Sequence, residues 1–204
     1  MVDPLWDEKI RIINEIIDKD SKVLDVGCGD GHVLKRIKGK EKLGLDISAQ
    51  YLKICRKSGL KVRKQDLNHT IKIKDKSFDV IICFEVLEHV YEIKQLAKEL
   101  NRILKDCGYL FVTVPHHSNF KSLVISLFGM FDHHFSPLTD GSGDDDFPGL
   151  GIKHGRHINF FSEKTVTELF YFKELKLIKT VKMGRNRLLP MSIFLAYKKN
   201  NPKT

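Results

Sequence analysis

The chain has 204 residues, of which 42% are hydrophobic, and its 35 basic and 26 acidic residues give a net charge of +9. This size suits one domain with a full apolar core, and the lack of any run of about 18 apolar residues excludes a membrane span. Acidic residues at the amino terminus, where a signal peptide would be basic, predict a cytoplasmic protein. The four cysteines form no Cys-x-x-Cys pair, as is usual for reduced thiols. The positive charge favours an anionic partner such as nucleic acid, although net charge alone locates no binding surface.

The first 115 residues follow a rhythm of helices and strands. A stripe of apolar residues at helical spacing predicts a helix over 5–18. Short apolar runs predict strands at 22–26, 43–46, 61–65, 78–83 and 109–114, and the segments between them predict helices at 32–37, 49–57 and 91–104. Ser48 is the candidate N-cap of the helix at 49–57.

Regular structure returns near the carboxyl terminus. Ser162 is the candidate N-cap of a predicted helix at 163–172. Strands near 175–183 and 191–198 suit a hairpin. Repeated strand–helix units predict a parallel sheet with helices on both faces. We therefore predict a single α/β domain over 1–204, with a doubly wound, mostly parallel seven-stranded sheet and an antiparallel C-terminal strand.

Residues 116–157 interrupt this rhythm. They hold six of the nine histidines and a loop rich in glycine and aspartate. Ligands of doubly wound sheets bind at the carboxyl ends of the strands, and the loops above those ends carry function. We expect this insertion to form a lid over the acceptor side of the site.

A glycine turn directly follows the first predicted strand. Gly27, Gly29 and Gly31 give the form GxGxG, and His32 stands where a dinucleotide-binding GxGxxG turn would have its last glycine. This pattern counts against NAD and FAD as ligands. Asp46 ends the second strand, where a carboxylate can accept hydrogen bonds from both hydroxyls of a ribose.

The third predicted strand also ends in an acid. Asp66 follows it and could accept a hydrogen bond from the exocyclic amine of adenine. Three consecutive strands therefore end in groups suited to one adenosine-containing ligand.

In these motifs the chain resembles the class I S-adenosylmethionine (SAM)-dependent methyltransferases over nearly its whole length. The stretches that match the family's motifs are 23–31, 44–48, 64–68, 78–90 and 104–110. The resemblance implies a Rossmann-like methyltransferase fold, SAM as the cofactor and transfer of its methyl group to an acceptor.

The resemblance also implies which residues hold SAM. The glycines of the turn would line its methionine part, Asp46 would hold the ribose, and Ile47 would lie against adenine. Asp66 and Leu67 would contact the adenine edge, and Phe84 would border the sulfonium. The full implied set is Asp25, Gly27, Cys28, Gly29, Gly31, Asp46, Ile47, Asp66, Leu67 and Phe84.

The stretch from Glu85 to His89 has two interpretations. If it is helical, Glu85, Glu88 and His89 share one face and, with His157, could bind Mg²⁺ or Mn²⁺. This arrangement resembles ubiquinone-pathway O-methyltransferases and small-RNA 3′-terminal 2′-O-methyltransferases, in which such a stretch supplies metal ligands. In other methyltransferases the same stretch binds no metal and packs beneath the cofactor, so both interpretations stay open.

Histidines are the candidates for a catalytic base. Methyl transfer from a sulfonium depends largely on alignment of the nucleophile, and a base is needed only when the acceptor must lose a proton. Imidazole titrates near neutral pH, which suits this role. His157, His116 and His154, all in the insertion, are the candidates.

Two absences narrow the acceptor. Phe84 and the residues after it replace the Asn/Asp-Pro-Pro-aromatic signature of methyltransferases that act on base amines, and no Pro-Cys nucleophile follows. We therefore expect a small-molecule acceptor, methylated at oxygen. One alternative is a metal-dependent 2′-O-methyltransferase acting on RNA. The other is an accessory protein that binds a protein partner, because 43–69 and 120–128 resemble the MetW family, which accompanies homoserine acetyltransferase.

Overall fold

The computed structural model describes residues 4–116, 158–184 and 191–201. Its helices are α1 (Pro4–Ile16), α2 (His32–Arg36), α3 (Ala49–Lys57), α4 (Ile93–Ile103) and α5 (Glu163–Leu169), and a 3-10 helix covers Leu87–His89. Its strands are β1 (Lys22–Val26), β2 (Glu41–Asp46), β3 (Val62–Lys64), β4 (Phe78–Phe84), β5 (Leu104–Pro115), β6 (Leu175–Met183) and β7 (Ser192–Lys199). The predicted insertion, apart from His116, lies outside the described residues, as do His154 and His157.

The strands form one seven-stranded sheet in the order β3-β2-β1-β4-β5-β7-β6. The first five strands of the chain are parallel, and β7 lies antiparallel between β5 and β6. The predicted mostly parallel sheet with an antiparallel C-terminal strand is therefore confirmed. The strand order reverses between β1 and β4, and ligands of open α/β sheets bind in the crevice at such a reversal.

Helices cover both faces of the sheet because alternate strand residues point to opposite sides. Leu24 and Val26 of β1 belong to the apolar cluster that also contains the buried residues of α4 and α5. Val23, the strand neighbour of Leu24, belongs to the cluster formed with α1 and α2. This two-sided core gives the sheet a rigid carboxyl edge on which the site is built.

Both predicted helix caps are confirmed. The Ser48 hydroxyl accepts a hydrogen bond from the Tyr51 amide at 3.3 Å, so α3 begins at the predicted residue. Ser162 caps α5 in the same way and forms a capping box with Thr165. Caps depend on residues three positions apart, so the sequence is sufficient to place them.

The stretch from Glu85 to His89 is not an α-helix, so the condition on which its shared face depended is not met. Strand β4 pairs with β5 as far as Phe84 and Thr113, and Glu85 then turns sharply with a φ of 52°. Its amide donates to the Thr113 carbonyl at 3.1 Å, so the sheet holds the backbone out of a helix. Only a 3-10 helix at Leu87–His89 follows. Glu85, Glu88 and His89 therefore do not share one face of an α-helix.

Strand β5 is longer than the sequence predicts. It begins at Leu104, which pairs with Phe78, and not at Tyr109. Helix α4 correspondingly ends at Ile103. Across the described ranges, every helix is too short or too polar to cross a bilayer.

Candidate functional site

The glycine turn after β1 is built from positive backbone angles. Gly27, Gly29 and Gly31 have φ values of 74°, 50° and 80°, a region that favours glycine. A Cβ on Gly27 would lie 2.2 Å from Cγ2 of Val86, so that glycine is required by packing. A Cβ on Gly29 would meet no described atom within 4 Å. The turn therefore presents an open backbone at Gly29, where a ligand can approach closely.

The carboxyl end of β2 fixes this turn. The amides of Gly27 and Cys28 both donate to the Leu45 carbonyl, at 2.8 and 2.9 Å. The Gly29 amide donates to Oδ2 of Asp46 at 2.8 Å, and the Ser48 amide donates to Oδ1 of the same carboxylate at 2.8 Å. Because each carboxylate oxygen has a second lone pair, Asp46 retains acceptor capacity for two hydroxyl groups.

Asp25 and Cys28 lie beneath the turn. The carboxyl group of Asp25 is 3% exposed, and burial together with the nearby charge of Asp46 raises its pKa to about 7. Its Oδ2 has no hydrogen-bond partner within the described ranges. The Cys28 side chain packs with Leu52 and Cys55, and burial raises the pKa of its thiol. Both side chains are therefore buried, one at the end of β1 and one within the turn.

Asp66, the acid predicted after the third strand, lies in a polar loop after β3. Oδ1 of Asp66 accepts hydrogen bonds from the backbone amide and the side-chain nitrogen of Asn68, at 2.9 and 3.0 Å. The hydrogen bond from the backbone amide lowers the pKa of Asp66. The Asn68 side chain in turn accepts from the Tyr91 amide at 2.8 Å. Ile47, the residue after Asp46, is 58% exposed. Leu67, the residue after Asp66, is partly buried against the core.

Phe84, at the end of β4, is buried under α1. Its ring lies 6.1 Å from the ring of Trp6 and 5.9 Å from that of Phe194. The ammonium of Lys9, also on α1, is 5.6 Å from the centre of the Phe84 ring. Helix α1 thus covers the carboxyl end of β4 with an aromatic side chain, Trp6, and a cationic one, Lys9.

Glu85 is the centre of a polar cluster next to this aromatic surface. One oxygen of its carboxylate, Oε1, receives Lys9 Nζ at 2.9 Å, the Thr113 hydroxyl at 2.8 Å and the Ser192 hydroxyl at 2.9 Å. These donors come from α1, β5 and β7. The charge of Lys9 lowers the pKa of Glu85 against the effect of burial, so the carboxylate is ionised at neutral pH.

Glu88 has the opposite protonation state. It is 1% exposed, and burial followed by the charge of Glu85 raises its pKa to about 8. Its side chain hydrogen-bonds to Glu85, while its Oε2 has no partner among the residues described. The backbone carbonyl of Glu88 accepts from the amides of Ile158 and Asn159, at 2.7 and 3.2 Å. One carboxylate and one neutral carboxylic acid therefore lie side by side.

Sequence reasoning missed Lys9, Thr113 and Ser192. For Lys9 a signal existed, because it lies three residues after Trp6 and four before Ile13 within the apolar stripe of α1. A lysine on a buried helix face implies an anionic partner. Thr113 and Ser192 gave no comparable signal, since their role depends on the pairing of β5 with β7.

The remaining predicted residues are only partly described. His116 follows β5, and burial and the nearby charge of Lys182 lower its pKa, so its imidazole is neutral at pH 7. In the described part of the chain, no group of three or more histidine, cysteine or acidic side chains could hold a metal ion. The fourth predicted ligand, His157, lies outside that part, next to Ile158.

Comparisons with known proteins identify a methyltransferase domain within the chain. Residues 24–112 match the family model of a methyltransferase domain. An uncharacterized protein of Methanocaldococcus jannaschii is 35% identical over 143 residues, which cover 70% of this chain and 60% of that protein. A ubiquinone biosynthesis O-methyltransferase of Idiomarina loihiensis is 34% identical over 114 residues, which cover 52% of this chain and 46% of that protein. The chain thus spans about half the length of the curated relatives it matches.

Solved structures share the fold over almost the whole chain. A SAM-dependent methyltransferase of Methanosarcina mazei aligns with a TM-score of 0.69 at 21% identity, covering 93% of this chain and 97% of that one. Another, from Archaeoglobus fulgidus, aligns with a TM-score of 0.66 at 19% identity, covering 96% and 94%. The family model and the relatives therefore show a methyltransferase domain within the chain, and the solved structures show that it has the fold of SAM-dependent methyltransferases.

Proposed function

We propose that the chain catalyses transfer of the methyl group of SAM to an oxygen atom of a small molecule. The observation that supports this proposal is the glycine turn, whose Gly29 faces open space and donates its amide to Asp46. The Glu85 cluster lies at the end of the adjacent strand β4. Ubiquinone biosynthesis O-methyltransferases among the relatives favour oxygen as the acceptor atom.

In this proposal the cofactor is held along the carboxyl edge of β1, β2 and β3. The backbone of Gly29 borders its methionine part, Asp46 accepts from the ribose hydroxyls, and Ile47 and Asp66 border the adenine. Support comes from the open space at Gly29 and from the free acceptor capacity of Asp46. When bound, SAM supplies an activated methyl group on a sulfonium.

Asp25 has an indirect role in this proposal. Its buried carboxyl group is near enough to Asp46 to feel that charge and, with a pKa of about 7, is largely neutral in slightly acidic conditions. A neutral Asp25 spares Asp46 the repulsion of a second buried carboxylate. We therefore assign Asp25 to positioning of the turn and of Asp46, through which it acts on the cofactor.

The acceptor is assigned to the Glu85 side of the crevice. Glu85 uses one oxygen for its three donors, and its side chain is 27% exposed, so the other oxygen can orient an acceptor hydroxyl. Neither acid is a strong base at neutral pH, because the pKa of Glu85 is lowered and Glu88, with a pKa of about 8, already carries a proton. A neutral imidazole can accept a proton, which makes His116 the candidate base within the described residues.

The test is a turnover assay with a panel of small molecules that carry phenol, catechol, carboxylate or amine groups. Formation of the demethylated cofactor and the mass gain of one methyl group on the acceptor are both measured. We expect turnover with a hydroxyl acceptor. Methylation of RNA or of a protein, with every small molecule inert, would contradict the proposal.

Matched variants assign the acceptor side. Glu85→Gln should reduce turnover by at least tenfold while SAM affinity stays within twofold, because the residue is assigned to the acceptor. Glu92→Gln, a nearby exposed carboxylate, is the control and should behave as wild type. Equal activity of Glu85→Gln and wild type would remove Glu85 from the acceptor site.

A further inference from the structure

The positive charge of the chain is concentrated in one segment. Residues 38–74 hold 11 of the 35 basic and 3 of the 26 acidic residues, so their net charge is +8. The remaining 167 residues together contribute +1. From Ile47 to Gln65 there is no acidic residue at all. Such an asymmetry is typical of a surface that meets a polyanion.

The fold brings this segment to one end of the molecule. It comprises β2, α3, β3 and the loop that follows, and β3 is the outermost strand of the sheet. Helix α3 packs beside β2 and β3, with Leu52 and Cys55 buried beneath it. The excess charge therefore lies on one continuous flank of the domain, on the adenine side of the proposed cofactor site.

Helix α3 presents one row of cations. Lys53, Arg56 and Lys57 are exposed and lie at positions i, i+3 and i+4, which share a helix face. Leu52 and Cys55, on the neighbouring side of α3, are buried in the core. The burial of one face thus forces the three cations towards solvent together.

A second group of cations lies along the edge strand. Lys61 and Lys64 flank β3 and are exposed. The guanidinium of Arg63 donates to the Lys72 carbonyl at 3.2 Å, which holds the loop after β3 against the strand. That loop carries the exposed Lys72 and Lys74. Strand and loop therefore extend the cationic surface begun by α3.

The acidic residues of the segment do not neutralise this surface. Glu41 pairs with Lys22, which lies outside the segment, and Asp46 accepts from two backbone amides. Asp66, the third acid, accepts from Asn68 and lies 3.7 Å from His69. Among the residues described, Lys53, Arg56, Lys57, Lys61 and Lys64 form no ion pair with an acid. These cations are thus available to phosphates.

We propose that this cationic flank, formed by α3, β3 and the following loop, binds the phosphate backbone of a nucleic acid. Charge complementarity carries the choice of partner. A membrane surface fits less well, because membrane-binding surfaces combine cations with exposed apolar side chains. Ile47 is the one large apolar side chain of this segment exposed within the described part.

The flank begins beside the proposed cofactor site. Lys64 and Asp46 are paired positions of β3 and β2 at the carboxyl edge of the sheet. A strand of nucleic acid bound here runs next to that edge. The proposal does not depend on the acceptor of the methyl group and holds for the protein without SAM.

The test measures binding of a fluorescent single-stranded RNA of about 20 nucleotides by anisotropy, between about 50 and 200 mM salt. The flank variant replaces Lys53, Arg56, Lys57 and Lys61 by glutamine. The control variant replaces the same number of exposed cations at the other end of the sheet, namely Lys164, Lys173, Lys176 and Lys179. Both variants have the same net charge, so net charge alone cannot separate them.

The flank variant should bind at least tenfold more weakly than wild type at low salt, with the control within twofold. The slope of log affinity against log salt should fall by about 3, since each phosphate contact to a single strand contributes about 0.7. SAM affinity, measured by calorimetry, should be the same in both variants. This last measurement keeps the result separate from the proposed methyl transfer.

Three outcomes would overturn the proposal. The first is no saturable RNA binding by wild type at the lowest salt. The second is an equal loss in the flank and control variants, which would indicate attraction by net charge alone. The third is sedimentation with phosphatidylserine vesicles but no binding of RNA, which would assign the flank to a lipid surface.

Discussion

The ammonium of Lys9 lies 2.9 Å from a carboxylate oxygen of Glu85, although 76 positions separate the two residues in the chain. The contact ties helix α1 to the turn that ends β4. Lys9 is almost fully buried and also lies 4.6 Å from the centre of the Trp6 ring. The pair therefore links the first helix of the chain to the centre of the proposed acceptor site.

Loss of the Lys9 ammonium should be costly. Lys9→Met keeps the length and apolar stem of the side chain but leaves the Glu85 carboxylate without its cation. We expect a loss of about 3 kcal/mol in the free energy of unfolding, the lower end of the usual range for a broken buried pair, because Glu85 is partly exposed. Urea denaturation followed by circular dichroism measures it.

The double variant is the control for that experiment. Lys9→Met with Glu85→Gln removes both charges, so its loss should be smaller than the sum of the two single losses by about 1–3 kcal/mol. Additive losses would show that Lys9 and Glu85 do not interact in solution.

Glu88 should make stability depend on pH. Its pKa of about 8 in the folded protein exceeds its ordinary value of 4.5, so the folded state binds a proton more tightly than the unfolded state. Stability is therefore highest below about pH 4.5 with respect to this group and falls as the pH rises towards 8, by at most about 1.4 kcal/mol per pH unit.

Glu88→Gln isolates this effect. The glutamine amide can donate to Glu85 as the protonated acid does, but it cannot ionise. We expect the variant to lose much of the decline in melting temperature between pH 5 and pH 8, while exposed Glu92→Gln retains it. Asp25 contributes a similar fall up to about pH 7, but both proteins share it. Parallel pH profiles of wild type and Glu88→Gln would contradict the assigned protonation state.

Two glycines of the same turn should respond differently to alanine. Gly27→Ala places a Cβ against Val86 at a positive φ, so it should lower the melting temperature strongly. Gly29→Ala meets open space and should cost only about 1 kcal/mol for its backbone conformation. Gly29→Ala should nevertheless weaken SAM binding at least tenfold, because the alanine side chain would occupy space that the proposal assigns to the cofactor. Unchanged SAM affinity in folded Gly29→Ala would remove the cofactor from that position.

Local sequence signals predicted the elements on which the proposed cofactor site is built. The strand before Gly27, the acid that ends β2 and the cap at Ser48 each depend on residues close together in the chain, and the structure places each as expected. Periodicity also predicted the parallel sheet, because buried strands and amphipathic helices alternate at regular intervals.

Contacts between distant residues could not be predicted in this way. Glu85 adopts a left-handed turn because its amide bonds to Thr113, a partner set by the register of β4 and β5. A helix-like spacing of acids and a histidine carries no information on that register. The same limit hid which acid Lys9 pairs with and that Ser192 is a donor, since both reach Glu85 from distant parts of the chain.

Calorimetric titration with SAM and its demethylated product tests the central claim most directly. Wild type should bind both, and NAD, the control ligand, should not bind. Asp46→Ala should weaken SAM binding by about 1–3 kcal/mol, or roughly 5- to 150-fold, because two ribose hydroxyls lose their acceptor. Asp20→Ala, which removes an exposed carboxylate, should bind as wild type does. Failure of wild type to bind SAM, or equal affinity of wild type and folded Asp46→Ala, would contradict the account.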